Sequence, residues 1–457
     1  MEMPVRFAGF LAYPFALPMN LHRSTLGFLF ALGAASSFAI PEGVFVLDSI
    51  NQSPFNPQGA RAARFDQQMN FLGNSIGPGE ASFQTPQVIA EAPDGTFLIS
   101  DQLADTVHQY SEAGVYLGSW PTTIDNIRGI TRGPDGLYYV ANGSTNQIEK
   151  YTASGVFAGV FASVVKPWYV LFRRGGDVLV SSSRTTNESP VIERFSASGV
   201  PLGPWVSNYP FTQQMHELAD GNVLVSVFSM SPAIGITSGL HEFSADGVFV
   251  RRYSIDGTRG CTELADGSLL ATGGTRLVRF TRGNSVGTDI DNFGGTLSSN
   301  FRLLYNTNFP TLVRGTVSLQ DFNGDPATVS MAYELRNSGG TVVQSGTTTL
   351  DSTGRYSFVT TQRGNLKIWL KPSHWLAASV SATINQWGAQ FSPSVINGDV
   401  DGDNSVTIFD YIDLSSSFDL NNGDAGYIPG ADLDGDDSVT IFDYIVLSNN
   451  FDVSGAE

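Results

Sequence analysis

Two nearly identical stretches near the C-terminus read GDVDGDNSVTIFDYI at residues 398–412 and ADLDGDDSVTIFDYI at residues 431–445. Their starts lie 33 residues apart. Each copy begins with three aspartates at alternate positions, and a fourth aspartate follows seven residues after the third. Alternate side chains of a tight loop can point inward together. The spacing therefore predicts that the carboxylates of each copy converge on one point.

This is the spacing of a twelve-residue calcium loop, in which Ca²⁺ takes roughly six to eight oxygens. Position 7 supplies a backbone carbonyl, and position 9 commonly acts through a water. Position 6 needs a sharp turn, and Asn404 and Asp437 are the residue types that tolerate it best after glycine. Acidic turns without metal are the weaker alternative, because the pattern occurs twice. The sequence predicts two Ca²⁺ ions bound by Asp399, Asp401, Asp403, Ser405, Thr407, Asp410, Asp432, Asp434, Asp436, Ser438, Thr440 and Asp443.

The flanks indicate which kind of calcium loop this is. Upstream, Pro393, Pro429 and Gly430 argue against an entering helix. Downstream, apolar residues at i, i+3 and i+7 predict an exiting helix with a core stripe, formed by Tyr411, Leu414 and Phe418 and by Tyr444, Leu447 and Phe451. Val406 and Val439, at position 8, are expected to pair the two loops. Loop then helix, twice, with Asp at position 12, resembles the dockerin family over residues 397–457.

The resemblance implies a docking function. In dockerins, loop positions 10 and 11 face the cohesin partner, and here they hold Ile408, Phe409, Ile441 and Phe442. The expected partner is a cohesin-like or cell-envelope protein. Familiar dockerins often carry small polar residues there, which leaves the cohesin class open. The alternative is that Phe409 and Phe442 pack against each other and form part of a core.

Charge and cysteine content limit the function classes. Residues 397–457 contain 14 of the 43 acidic residues and no Lys, Arg or His, so most of the net charge of −18 is local. An acidic chain is a poor partner for nucleic acid. The single cysteine, Cys261, excludes an internal disulfide, and its apolar strand pattern predicts a small buried side chain.

Residues 1–39 have the pattern of a signal peptide. A short positive segment at 19–23 precedes an apolar run at 26–35 and the small-x-small triplet Ser37-Phe38-Ala39, and Met19 is an alternative start. The apolar run is too short for a membrane anchor. The expected location is extracellular, with attachment to the cell surface through residues 397–457.

Residues 43–306 contain a diverged repeat of about 41–46 residues. Clear copies are PQVIAEAPDGTFLISDQLADTVHQYSEAGVYLGSW from Pro86 and IRGITRGPDGLYYVANGSTNQIEKYTASGVFAGVF from Ile127. Each copy reads as four strands joined by Asp-Gly or similar turns, which indicates propeller blades. Five copies are complete, and a sixth, starting at Val44, lacks its first strand. We predict a six-bladed β-propeller in which residues 300–306 donate that strand.

The repeats resemble the NHL and SMP-30-like propeller families. In the NHL pattern the residue seven before the turn lies at the channel mouth, which here gives Gln87, Arg128, Trp168, Gln213 and Arg259. A ligand surface and an ordinary solvated rim both fit these residues. SMP-30-type lactonases bind a metal on the channel axis. The inner-strand residues that could take part are Glu91, Arg128, Arg132, His216, Glu217 and Glu263. No residue is assigned a catalytic role.

Residues 311–391 alternate in the manner of strands, with turns at NGD, NSGG and DSTG. They resemble the carboxypeptidase-regulatory-like and Cna-B-like β-sandwich spacers. The fold expected is mainly β: a propeller, a small antiparallel sandwich and a small α-helical calcium module. Two functions fit, a secreted non-catalytic binding or scaffold protein and an exported propeller enzyme, lactonase-like or carbohydrate-active, carried by the same tail.

Overall fold

The computed structural model describes residues 43–48, 60–77, 83–92, 94–290 and 301–457. The predicted signal peptide lies outside the described residues. The described chain is mainly β, with two short α-helices near the C-terminus. Within it, no helix combines the length and the apolar character that a bilayer crossing requires.

Six four-stranded antiparallel sheets form the N-terminal part, and each is one blade. Blade 1 comprises Phe301–Asn306, Val44–Asp48, Arg61–Phe65 and Phe71–Ile76. Blade 2 comprises Pro86–Glu91, Phe97–Asp101, Thr106–Tyr110 and Tyr116–Ser119. Blade 3 comprises Ile127–Arg132, Tyr138–Asn142, Gln147–Tyr151 and Phe157–Ser163. Blade 4 comprises Pro167–Phe172, Val178–Ser182, Val191–Phe195 and Pro201–Ser207. Blade 5 comprises Thr212–Glu217, Val223–Val227, Gly239–Phe243 and Phe249–Tyr253. Blade 6 comprises Thr258–Glu263, Leu269–Gly273, Arg276–Phe280 and Thr288–Asp289.

The first strand named for each blade is its inner strand, and each inner strand contacts that of the next blade in a closed ring. Blades 2 to 6 take their inner strand from the start of their own repeat. Blade 1 takes Phe301–Asn306, which pairs antiparallel with Val44–Asp48 and joins Val44 to Asn306. The prediction of six blades closed by residues 300–306 is confirmed.

Local sequence explains the blades. Asp-Gly turns join the first two strands where a positive φ is needed, as at Gly95 (φ +79°) and Gly136 (φ +82°). The second strands are buried along their whole length, so they carry apolar residues on both faces. Between blades 1 and 2, Phe45 meets Phe97 edge to face at 5.2 Å between ring centroids.

Residues 311–395, the middle region, form three sheets. One sheet has four strands in the order Val342–Thr349, Ser330–Arg336, Gly364–Pro372 and Ala378–Ile384. A second has three in the order Arg355–Thr360, Thr311–Thr316 and Ala389–Gln390. A two-stranded ladder joins Ser318–Leu319 to Ser394–Val395. The first two sheets share one apolar core, in which Tyr333 stacks on Phe358 with ring centroids 3.7 Å apart.

The tail, residues 397–457, contains helices α1 (Ile408–Ser416) and α2 (Ile441–Asn449). Each follows one acidic loop and begins after a capping threonine, whose Oγ1 accepts a hydrogen bond from the backbone two residues on. A short 3₁₀ turn, Pro429–Ala431, precedes the second loop. Neither acidic loop is directly preceded by an α-helix, as the flanking prolines predicted.

Two expectations for the tail are wrong. The loops do not pair with each other: Val406 exchanges backbone hydrogen bonds with the segment after α2, and Val439 with the segment after α1. This crossed pairing gives each short strand a partner from the other half of the tail.

The predicted core stripe is also narrower than expected, since Leu414 and Leu447 are buried whereas the aromatic residues on either side of them are 39–48% exposed. The i+7 residues, Phe418 and Phe451, lie beyond the helix ends, so helical periodicity does not govern them.

The closing strand gives a test of the fold. A chain ending at residue 299 should aggregate or unfold, because blade 1 then lacks its inner strand and exposes an unpaired edge. A chain ending at residue 310 keeps that strand and should fold. Size-exclusion chromatography and resistance to protease compare the two. Equal folding of both chains would show that ring closure does not require residues 301–306.

Candidate calcium loops and propeller channel

The first three aspartates of each loop lie together. Oxygens of Asp399, Asp401 and Asp403 lie within 4.8 Å of one another, and the second copies, Asp432, Asp434 and Asp436, do the same. In the described part of the chain, these are the two groups of three or more carboxylate, imidazole or thiolate side chains that come so close. Both groups offer only oxygen, the donor that hard cations such as Ca²⁺ prefer.

The turn at position 6 has the predicted left-handed backbone, with φ +72° at Asn404 and +70° at Asp437. This turn aims backbone N–H groups at the carboxylate of position 1. The Asn404 N–H donates to Asp399 at 3.1 Å, and the Asp437 N–H donates to Asp432 at 2.9 Å. These hydrogen bonds within the protein therefore shape each loop without a contribution from an ion.

Positions 9 and 12 connect each loop to its helix. Asp410 is fully buried and accepts hydrogen bonds from the backbone of Asp401 at 3.0 Å and of Thr407 at 2.6 Å. Asp443 repeats this with Leu433 and Thr440. Each position-12 carboxylate thus lies against its own loop. At position 7, the hydroxyls of Ser405 and Ser438 bond to neighbouring segments. A role for the backbone carbonyls of these two residues in holding an ion stays a prediction.

Burial, and after it neighbouring negative charge, raises the pKa of four of the loop carboxylates. Burial, with the charge of Asp443 second, raises the pKa of Asp434 to about 6. Burial also raises the pKa of Asp399, Asp401 and Asp432, with a nearby carboxylate adding in each case. Buried like charges are costly unless a cation compensates them. The residues therefore fit a divalent cation, and Ca²⁺ suits their all-oxygen set.

The two loops differ at the carboxylate of position 1. Lys371, from the middle region, donates its ammonium to Asp399 Oδ2 and also to the backbone oxygens of Ser373 and Trp375. At the second loop, the hydroxyl of Tyr427 donates to Asp432 at 2.9 Å. The first loop therefore faces a full positive charge that the second loop does not.

The middle region packs against both loops. The carbonyl of His374 accepts from the backbone of Gly398 and Asp399 at 3.1 Å, and the Asn323 N–H donates to the Asp434 carbonyl at 2.7 Å. The sequence DFNGD around Asn323 is a turn, as predicted, and Asp325 caps the short 3₁₀ turn that follows it. Leu376 also belongs to the apolar core of the tail.

The predicted docking residues are exposed. Phe409 and Phe442 are each 62% exposed, and Ile408 and Ile441 are each 51% exposed. The ring contact between the two helices joins Tyr411 to Tyr444, with centroids 5.9 Å apart. The alternative in which Phe409 and Phe442 form a core is wrong, because side chains so exposed are not packed. The two helices together present an apolar surface, here called the docking face: Ile408, Phe409, Ile412, Ile441, Phe442 and Ile445.

The five residues predicted at the channel mouth share one register, since each is the second residue of an inner strand. Gln87, Trp168 and Gln213 are buried, whereas Arg128 and Arg259 are partly exposed. The closing strand adds Arg302 at the same register, a residue that the repeat pattern missed because no Asp-Gly turn follows it. The sequence feature that could have identified Arg302 was its position in the strand predicted to close the propeller.

A cavity of about 130 Å³ lies at the other end of the channel. Glu91, Arg132, His216 and Glu217 line it, together with Phe309, Gln386 and Trp387 from the linker and the middle region. The imidazole of His216 meets the ring of Phe309 at 5.0 Å. Burial, with Arg174 second, lowers the pKa of His216 to about 3, so this imidazole is neutral. The middle region therefore covers this end of the channel.

Within the described residues, Glu217 and Glu263 belong to no close group of three candidate metal ligands. Glu217 accepts from the backbone of Arg174 at 2.8 Å, and Glu263 accepts from the backbone of Ala219 at 2.9 Å. Each carboxylate thus fixes, by a hydrogen bond to the backbone, the turn between the first two strands of the preceding blade. Burial raises the pKa of Glu263 to about 7.

His108 and His241, on the third strands of blades 2 and 5, have partners within the protein. His108 bonds to Ser119 at 2.9 Å and lies 3.5 Å from Asp101, while His241 bonds to Tyr209 and to the Thr237 carbonyl. Cys261 is fully buried, as predicted, and burial raises the pKa of its thiol to about 12.

No protein-family model matches the chain, and no curated protein matches it. Among solved structures, similarity is found to a type II cohesin–X-dockerin complex from Acetivibrio cellulolyticus, at 18% identity over 32% of this chain and 97% of that chain, with a TM-score of 0.27. A protein of unknown function from Bacteroides caccae matches at 13% identity over 57% of this chain and 98% of that chain, with a TM-score of 0.42. Virginiamycin B lyase from Staphylococcus aureus matches at 12% identity over 54% and 84%, with a TM-score of 0.38. Similarities of this size do not identify a family.

The ammonium beside Asp399 gives a test of the first loop. Lys371→Met should tighten Ca²⁺ binding at that loop roughly tenfold, about 1.4 kcal/mol, because a positive charge no longer opposes the ion. Isothermal titration of the full chain with Ca²⁺ resolves the two sites. Lys367→Met, on the same strand, is the matched control and should change neither. Weaker binding by Lys371→Met would show that the ammonium instead supports the binding conformation.

Proposed function

We propose that this chain is a secreted binding or scaffold protein. Its tail binds two Ca²⁺ ions and docks to a protein partner, and its propeller presents a recognition surface. The observation that carries the proposal is the combination, in one 61-residue tail, of two convergent carboxylate groups with an exposed apolar face on the helices that follow them.

The calcium part of the proposal rests on burial. Asp399, Asp410 and Asp443 are fully buried, and buried carboxylates that repel one another oppose folding. Two divalent cations would turn this repulsion into attraction and would fix the first turn of each helix. Asp399, Asp401, Asp403 and Asp410 would hold the first ion, with Thr407 through a water, and their second-copy counterparts would hold the other.

The docking part rests on the exposure of the apolar residues. The docking face places large apolar side chains of two nine-residue helices in water, although a small module would gain by burying them. Its exposures match between the copies, so the face has an approximate twofold repeat. A partner that recognises one helix start could bind in either of two orientations. We propose a cohesin-like or cell-envelope protein, with an apolar surface of its own.

The double change Phe409→Ser/Phe442→Ser tests docking. Loss of both rings should weaken binding by about 100-fold or more, about 2.7 kcal/mol, since buried aromatic anchors dominate such interfaces. Either single change should cost about twofold, because one orientation remains usable. Surface plasmon resonance against a panel of immobilised cohesin modules and envelope proteins, with Ca²⁺ and with chelator, gives the affinities.

The matched control is Leu103→Ser/Val248→Ser, which removes two equally exposed side chains from the propeller. It should bind as the unchanged chain does. Calcium titration of the double phenylalanine variant should give two sites of unaltered affinity. Loss of calcium binding or of helix in that variant would place these rings in the fold of the tail and would contradict a docking role.

One observation favours the second candidate, an exported propeller enzyme. Nε2 of His216 is buried without a hydrogen-bond partner, and it lines the same cavity as Glu91 and Arg132. A substrate of a lactonase-like or carbohydrate-active enzyme could meet these groups there. The linker and the middle region cover this cavity, which favours the binding function instead.

Counting divalent ions separates the two candidates. The variant Asp410→Ala/Asp443→Ala weakens both loops of the full chain. We expect equilibrium dialysis with Ca²⁺, Mg²⁺, Mn²⁺ or Zn²⁺ to leave no tight site in it, because the described propeller shows no group of three candidate ligands. A tight ion that remains, and is lost with His216→Ala or Glu91→Gln, would support the enzyme.

A further inference from the structure

The propeller mouth opposite the middle region carries a ring of six side chains, one from each blade. They are Arg302, Gln87, Arg128, Trp168, Gln213 and Arg259, in the order of blades 1 to 6. Three of the six are arginines, and none is acidic. The arginines are the members that remain partly exposed, so positive charge faces the solvent at this mouth.

In the described part of the chain, the hydrogen-bond and ring partners of Arg128 are uncharged. Its guanidinium donates to Ser183 Oγ at 2.5 Å and lies over the Trp168 ring at 4.5 Å. Its Nε is buried without a hydrogen-bond partner, and so is Nε1 of Trp168. Burial alone lowers the pKa of Arg128 to about 10. Two donors from adjacent blades, one of them charged, therefore lack an acceptor.

Among the residues that the structure describes, Arg259 likewise meets no carboxylate. It lies over the Phe228 ring at 4.0 Å, and its Nη1 is 3.4 Å from Gln213 Oε1. Burial, followed by repulsion from Arg302, lowers the pKa of Arg259 to about 9. Burial lowers the pKa of Arg302 to about 10, and the negative charge of Asp48 offsets part of this lowering. Two guanidinium groups from adjacent blades thus lie near each other.

This arrangement is costly for the protein alone. Removing a charged group from water without an opposite charge costs several kcal/mol. At the opposite end of the propeller, Arg173 and Arg174 both lie against a carboxylate, that of Glu217. Water could accept hydrogen bonds from Nε of Arg128 and Nε1 of Trp168, but it supplies no negative charge. A bound anion would supply both the hydrogen-bond acceptor and the negative charge.

We propose that this mouth binds a small oxyanion, a carboxylate, phosphate or sulfate group, between Arg259 with Arg302 on one side and Arg128 with Trp168 on the other. Arginine suits this chemistry because its planar group donates to two oxygens together. The inference rests on the proposed recognition role of the propeller. It is independent of the tail, since the docking and calcium experiments can succeed or fail without it.

Isothermal titration of the calcium-loaded full chain tests the proposal. Sodium sulfate, inorganic phosphate and sodium acetate are the probes, each at constant ionic strength, with Ca²⁺ kept near two equivalents. We expect one saturable site for at least one probe, and the tightest probe identifies the anion group. Binding should quench or shift the fluorescence of Trp168, and Trp168→Phe should remove that signal while saturation remains.

Arg128→Gln and Arg259→Gln should each weaken binding at least tenfold. Without anion, each should melt at the same temperature as the unchanged chain or higher, because a half-buried guanidinium that meets no carboxylate among the described residues is gone. Arg276→Gln is the matched control, since this arginine is exposed and paired with Asp289. It should bind the probes as the unchanged chain does.

The charge-preserving variants Arg128→Lys and Arg259→Lys keep the test decisive if a glutamine variant fails to fold. They should still bind the probe saturably, with reduced affinity because the two-pronged donor is lost. Binding that does not saturate, or that is equal in the Gln variants and the unchanged chain, would indicate an adventitious ion only and would overturn the proposal.

Discussion

The strand Phe301–Asn306 pairs with Val44–Asp48, and this contact closes a ring whose other blades are each made from one continuous repeat. Ring closure brings residues 43 and 307 together: the Thr307 N–H donates to the carbonyl of Gly43 at 3.1 Å. Everything after residue 306 must therefore leave from the end of the channel at which the inner strands finish. The position of the middle region follows from this single pairing.

Because the chain leaves there, the middle region covers that end. Phe309 meets His216, Arg314 donates to the carbonyl of Arg174, and Gln386 and Trp387 line the cavity. Polar groups such as Glu91 and His216 consequently line a cavity beneath the middle region. The opposite mouth, with its three arginines, is the end that the middle region does not reach. The topology thus gives the two ends of the channel different surroundings.

Sequence alone predicted what depends on local spacing. The carboxylate positions, the left-handed residues Asn404 and Asp437 and the six blades all follow from periodicity and turn chemistry, which act over a few residues. Contacts between distant segments could not be read this way. Lys371 reaches Asp399, Val406 pairs beyond the second helix rather than with the other loop, and Arg302 joins the ring from outside its repeat. Helical spacing also predicted that Tyr411 and Phe418 are buried, although Leu414 is the one member of that stripe that α1 buries.

The contacts of the middle region with the tail have a consequence for both proposals. His374 and Asn323 bond to the backbones of the two loops, the Trp369 indole N–H donates to the carbonyl of Ala456 at 2.8 Å, and Leu376 enters the core of the tail. An ion bound at either loop, as proposed, would order a segment that already touches the middle region. Since the docking face begins at position 10 of each loop, the loaded loops, the helices and the middle region would then form one mechanical unit. A partner held by that unit would have a defined direction relative to the mouth with the three arginines, which a flexible linker could not provide.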